Sequence, residues 1–133
     1  MRRPHLGIDV AAPADRAWRQ LVCLDDWPAW GPTVRGARLD DGGRVLSAGA
    51  TGSVQTPVGV WLPFRVERWE DDGAVRSWSW RVAGVPATDH TVTELGPDRC
   101  RVEMSVPWTA AGYLGVVGVA LARIRRRAER AER

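Results

Sequence analysis

The spacing of apolar and polar positions changes twice along this chain. From about Thr33 to Val106 they alternate with a period of two, the pattern of strands with one dry face. Over Leu62–Trp69, Phe64 and Val66 alternate with Arg65 and Glu67. Over Val75–Val82, Trp78, Trp80 and Val82 alternate with Ser79 and Arg81, and over Cys100–Val106, Val102, Met104 and Val106 alternate with Arg101, Glu103 and Ser105. The first set in each stretch is expected to face a core. Further strands are predicted over Thr33–Leu39, Thr51–Thr56 and Thr88–Leu95. Turn-rich segments such as Asp40-Asp41-Gly42-Gly43, Asp71-Asp72-Gly73 and Gly96-Pro97-Asp98 separate them, so successive strands should pair as an antiparallel meander.

On either side of this region the pattern is different. A short strand over His5–Val10 is followed by Pro13, which a first helical turn tolerates, and by a segment that puts Ala17, Trp18, Leu21 and Val22 on one helix face. A second short helical turn, Asp25–Trp30, ends at the breakers Gly31 and Pro32. From Trp108 to Arg130 the alternation disappears, and Leu114, Val117, Leu121 and Ile124 recur at spacings of three, four and three. Such a helix would be about 30 Å long at ~1.5 Å per residue, enough to lie across the sheet. The order predicts one α+β domain over residues 1–133: a curved antiparallel sheet of about seven strands around a long C-terminal helix, with two short helices after the first strand. Arg127–Arg133 is expected to fray.

Composition refines this picture. The 133 residues suit one domain, and 44% hydrophobic with 26% charged content is that of a globular protein. Net charge is +3, but the segment Arg123–Arg133 holds six Arg against two Glu, so the positive balance belongs to the tail. A basic face for nucleic acid is therefore not expected on the body of the domain. Val106–Ala122 is free of charge over seventeen residues, yet Pro107, Thr109, Gly112, Gly115 and Gly118 dilute it below what a membrane span needs. Those glycines suit close approach of helix to sheet or room for a ligand. Weak peripheral contact of the basic helix end with anionic lipid is the remaining membrane expectation. Cys23 and Cys100 are expected to be reduced thiols, and without an export signal the chain is expected to be cytoplasmic. No pattern specifies an oligomeric state.

The element order, the opening Ile8-Asp9-Val10-Ala11-Ala12-Pro13-Ala14-Asp15-Arg16-Ala17-Trp18, the segment Leu24-Asp25-Asp26-Trp27-Pro28-Ala29-Trp30, Phe64-Arg65-Val66-Glu67-Arg68-Trp69 and Trp78-Ser79-Trp80 together resemble the START-like, or Bet v 1-like, superfamily (SRPBCC), in particular bacterial polyketide cyclase/dehydrase-like proteins. The resemblance covers nearly the whole chain. It implies the helix-grip fold and an internal pocket, in a superfamily that includes lipid carriers, receptors and ring-closing enzymes.

Within such a pocket the inward residues define a candidate ligand-binding set: Trp30, Phe64, Val66, Trp78, Trp80, His90, Val102, Met104, Trp108, Tyr113 and Val117. Eight tryptophans in so short a chain offer broad apolar surface, although the same rings also serve as core. His90 shares the parity of Val92 and should point inward. Arg68 shares that of Phe64 and Val66 and should do the same unless a bulge intervenes. Binding or carriage of a hydrophobic small molecule is the leading expectation. The alternative is a cyclase or dehydratase acting on a polyketide-like substrate, with His90 as acid/base, Arg68 as electrostatic stabiliser and Tyr113 as hydrogen-bond donor. A protein-interaction module is a third possibility. No metal site and no cofactor motif is evident. The pairs Asp25-Asp26, Asp40-Asp41 and Asp71-Asp72 are read as turn residues that bond their own backbone.

Overall fold

The computed structural model describes residues 3–130. The chain runs β1 (His5–Val10), α1 (Ala14–Val22), a 3-10 turn (Leu24–Asp26), α2 (Trp27–Trp30), β2 (Gly36–Leu39), β3 (Thr51–Gln55), β4 (Trp61–Asp71), β5 (Val75–Val82), β6 (Val85–Gly96), β7 (Arg99–Ser105), a second 3-10 turn (Trp108–Tyr113) and α3 (Leu114–Arg130). The strands form one antiparallel sheet in the order β1-β7-β6-β5-β4-β3-β2. The meander expected from the period-two region is present, and β1 closes it by pairing with β7, His5 opposite Ser105 and Val10 opposite Cys100.

The sheet curves because three strand pairs slip register, between Val66 and Arg68, between Ser79 and Arg81, and between Glu94 and Gly96. Its inner face carries the alternating apolar residues, with Phe64, Val66, Trp78, Val102, Met104 and Val106 all buried. Onto that face pack α1 and α3, and α2 reaches α3. Val117, Ala120, Leu121, Ile124 and Ala128 supply the buried stripe of α3. Gly52 permits the close stacking of β2, β3 and β4: a Cβ there would lie 2.2 Å from the Arg38 carbonyl oxygen and 2.9 Å from Cζ of Phe64.

Four expectations are corrected. The strand predicted from Thr33 begins only at Gly36, because residues 31–35 form a turn after α2. The C-terminal helix begins at Leu114 instead of Trp108, since Ala110 leaves helical geometry at φ −120°, ψ 26°. A Cβ at Gly112 or Gly115 would meet nothing within 4 Å and one at Gly118 would make only an ordinary contact, 3.7 Å from Cδ1 of Leu6, so close approach of helix to sheet does not require these glycines. Arg127 is held as well: its Nε donates to Oε1 of Gln20 at 3.0 Å and its Nη2 to Oδ1 of Asp26 at 3.1 Å. Of the segment expected to fray, residues 131–133 lie outside the described residues.

The β5–β6 hairpin turns on two residues, Ala83 at φ 53° and Gly84 at φ 78°, between the directly opposed Val82 and Val85. Two successive left-handed residues make a type I′ turn, for which Asn-Gly is the favoured pair, and an alanine there is strained by about 1 kcal/mol. Ala83→Asn is expected to raise the unfolding free energy by about 0.5–1 kcal/mol. A higher urea midpoint at unchanged slope is the reading that checks it; an unchanged midpoint would show that the turn stores no strain.

Candidate functional site

The sequence of α2 sets the inner end of the site. Pro28 fits the first helical turn, and Trp27 and Trp30 both turn inward, anchored by Nε1–H bonds to the carbonyls of Leu21 at 3.0 Å and Gln20 at 2.9 Å. Trp27 then stacks on Trp78 with centroids 5.8 Å apart and 11° between planes, and meets Trp80 edge-on at 5.5 Å. Phe64 fills the space beside Trp27 and Trp80, at 5.9 and 5.3 Å. This cluster occupies most of the space expected for a ligand under the sheet. What remains is a chamber of about 50 Å³, lined by Trp27, Trp30, Trp78, Trp80, His90, Met104, Tyr113 and Val117 among others. That is room for a water molecule or two.

His90 sits at the floor of this chamber, 2% exposed, with its ring 3.9 Å from that of Trp78 and nearly parallel to it. Both its nitrogens are engaged. Nδ1 lies 3.4 Å from the Trp78 carbonyl oxygen and Nε2 lies 3.1 Å from Oγ1 of Thr88, which also accepts the Trp80 Nε1–H at 3.0 Å. One proton arrangement satisfies the whole chain: Trp80 donates to Thr88, Thr88 donates to Nε2, and Nδ1–H donates to Trp78. Burial holds the imidazole neutral and lowers its pKa to about 3. The indole Nε1–H of Trp78, also buried, has no hydrogen-bond acceptor among the described residues.

An apolar space larger than this chamber lies at the open end of the sheet. A groove of about 380 Å³ runs between the ends of β3–β7, the 31–34 turn and the 3-10 turn before α3. Val34, Val54, Leu62, Val82, Val85, Pro86, Ala87, Val106, Pro107 and Ala110 form its walls. The 3-10 segment that precedes α3 supplies Pro107, Ala110 and Tyr113 to its wall. Thr33, Val34, Trp80, Thr88 and Tyr113 line both groove and chamber. Across that boundary the hydroxyls of Thr33 and Tyr113 are hydrogen-bonded to each other, a polar clasp in otherwise apolar walls.

Of the candidate residues, the fold brings Trp30, Trp78, Trp80, His90, Met104, Tyr113 and Val117 together around the chamber. Phe64, Val66 and Val102 are buried but line neither space. Trp108 is 57% exposed and stands on the rim. The inward expectation for Arg68 is corrected: the bulge after Val66 turns it to the outer face, where its Nη2 meets Oε1 of Glu70 at 3.2 Å, and Trp69 takes the inward place beside Trp18. The groove residues Val54, Leu62 and Val85 escaped the sequence reading because they sit at strand ends, where alternation alone does not say which space a side chain borders. Gln20 was missed too: buried in α1, its Nε2 donates to the Ile124 carbonyl at 3.0 Å.

Several acidic groups do structural work. Asp71 and Asp72 accept hydrogen bonds from the backbone of Gly73, Ala74 and Val75, and Asp41 from Gly43, as expected of turn residues. Asp25 and Asp26 differ: they pair across the fold with Arg44 at 2.6 Å and Arg127 at 3.1 Å. Cys23 and Cys100 are free thiols, and burial pushes Cys100 up to about 11, so neither is an activated nucleophile. Among the described residues no group of side chains is arranged to hold a metal ion, and no helix is long and apolar enough to cross a membrane.

Solved structures share this architecture. A hypothetical protein of Helicobacter pylori superposes with a TM-score of 0.75 at 14% identity, over 93% of this chain and 86% of its own. XoxI of Bacillus cereus gives 0.67 at 17%, over 100% and 99%. The aromatase/cyclase Zhui of a Streptomyces species gives 0.68 at 15%, over 99% and 96%. At such identities the likeness is one of fold. None of the curated proteins matches this chain. Residues 5–131 match the model of the family described as polyketide cyclase/dehydrase and lipid transport, and the chain belongs to that family.

Proposed function

We propose that the protein binds an uncharged, largely apolar small molecule in the groove, with one end of the ligand at the Thr33–Tyr113 clasp. The observation that carries this is the groove itself: about 380 Å³, within the usual range of roughly 300–1,000 Å³ for ligand sites, with no charged group among its sixteen lining residues. An ionised ligand would lose its hydration there and gain no counter-charge. The hydroxyls of Thr33, Thr56 and Tyr113 offer a few polar contacts for orientation. Membership of a cyclase and lipid-transport family supports the ligand class. The acid/base alternative is less favoured, because the two nitrogens of His90 already have partners and Arg68 lies on the opposite face of the sheet.

Fluorescence titration with phenylnaphthylamine, an uncharged two-part aromatic, tests the reading against its sulfonated analogue. The neutral probe is expected to bind with one site per chain and the sulfonate at least ~10-fold more weakly. Ala110→Phe, which places a ring in the groove, is expected to weaken the neutral probe by about tenfold or more. Equal affinity for the sulfonate, or undiminished binding by a folded Ala110→Phe protein, would sink the assignment.

A further inference from the structure

Three segments frame the mouth of the groove: the turn Thr56–Trp61, the hairpin Ala83–Ala87 and the 3-10 segment Pro107–Tyr113. Each lends a proline to its wall, Pro57, Pro86 and Pro107. Each also turns a large apolar side chain out to solvent. Val58 is 84% exposed, Val60 52%, Val85 59% and Trp108 57%. Isolated exposed apolar residues are ordinary, but here they ring an opening that is itself apolar. None of the residues in the three segments carries a charge.

Two arginines stand beside this rim on the β2 side. The Arg35 guanidinium reaches the tip of the first turn, 3.8 Å from the Cβ position of Gly59, and Arg38 stacks over Trp61 at 4.2 Å from the ring centroid. Both arginines are exposed, and neither has an acidic partner among the described residues. Exposed aliphatics, a rim tryptophan, an arginine-stacked tryptophan and unpaired guanidinium groups are the parts of an interfacial contact with anionic lipid. The apolar tips enter the headgroup boundary and the cations meet phosphates.

We propose that the mouth of the groove docks on an anionic lipid surface, with Val58, Val85 and Trp108 as the inserting side chains and Arg35 and Arg38 as the phosphate contacts. This moves the membrane expectation from the basic end of α3 to the opposite kind of feature, an apolar opening with flanking charge. Where the groove carries a ligand, which rests on the function proposed above, the ligand passes between bilayer and groove without entering water. The docking itself does not depend on that reading.

The test is co-sedimentation of the full chain with vesicles of phosphatidylcholine alone and of phosphatidylcholine mixed with phosphatidylglycerol. The expected result is binding that is stronger on the mixed vesicles. Val58→Asp and Trp108→Asp, both at exposed positions, should each reduce it about tenfold, and the pair Arg35→Glu and Arg38→Glu should erase the preference for the anionic lipid. Changing Arg125 and Arg126 at the end of α3 to Glu should leave binding in place. Absence of binding to both vesicles overturns the proposal. So does binding that the rim variants retain, or binding lost with the α3 pair instead. A concentration-dependent dimer that Trp108→Asp dissolves, without vesicle binding, would assign the rim to a second copy of the chain. Phenylnaphthylamine affinity in vesicle-free solution should be unchanged in Val58→Asp, whose side chain lies outside the groove lining, so docking and ligand binding fail separately.

Discussion

Replacing Trp27 by alanine is expected to cost about 3–5 kcal/mol of folding stability, a large share of the roughly 5–15 kcal/mol available to a domain. The residue is 1% exposed and sits where α2 meets the sheet. Its ring touches Phe64, Trp78 and Trp80, and its Nε1–H ties α2 to the last turn of α1 through the Leu21 carbonyl at 3.0 Å. Truncation therefore removes apolar burial, leaves a cavity beside an already existing chamber, and frees one end of α2. Trp27→Phe keeps an aromatic ring but not the hydrogen bond, and should cost less, about 1–2 kcal/mol. Urea unfolding of the two variants checks this ordering. A Trp27→Ala protein within about 1 kcal/mol of the parent would mean that the cluster packs without contributing to stability.

The second large effect is a pH dependence carried by His90. In the unfolded chain the imidazole titrates near its ordinary value of 6.5, whereas burial lowers it to about 3 in the folded protein. Above the unfolded value both states are neutral and His90 leaves stability independent of pH. As pH falls below it, the unfolded state takes up a proton that the folded state refuses, so stability is lost until the folded value is reached. The loss proceeds at about 1.4 kcal/mol per pH unit and reaches about 3 kcal/mol near pH 4. His90→Gln removes this term while retaining the carboxylate contributions common to both proteins. The difference in unfolding free energy between parent and variant should therefore shift steadily in favour of the variant from about pH 6.5 downward. A difference that stays flat across this range would mean that the ring is protonated inside the fold.

Much of the architecture was legible in the sequence because it rests on periodicity. Alternation of Phe64 and Val66 with Arg65 and Glu67, and of Trp78 and Trp80 with Ser79 and Arg81, identifies the inner face, and the structure places the first set of each pair inward. The parity of His90 with Val92 likewise put the imidazole inside. What periodicity does not carry is the local break. The bulge after Val66 reverses the parity of Arg68 and exchanges it with Trp69, and no residue in Val66-Glu67-Arg68 announces it. The irregular backbone at Ala110 shortens the last helix, although Pro107, Thr109 and Gly112 mark the segment as a poor helix former.

The site was legible only in part for a related reason. Counting inward aromatics predicts where rings gather, but gathering rings fill space as readily as they line it. Trp27, Trp78, Trp80 and Phe64 close on one another and leave about 50 Å³, while the open volume falls among valines, prolines and alanines at the strand ends. Trp27 was not among the residues expected around the pocket. Its position between Phe64, Trp78 and Trp80 depends on the angle at which α2 enters, which tertiary packing sets.

The central claim is that the open groove, and not the aromatic interior, receives an uncharged ligand. Methyl-resolved NMR of the full chain titrated with naphthol tests it most directly. Saturating shifts are expected at the methyl groups of Val54, Leu62, Val82, Val85, Val106 and Ala110, which line the groove, with little change at Val22, Val92, Val102 and Ile124 in the closed core. Shifts concentrated at those core methyls, or no saturable shift at all, would contradict the account.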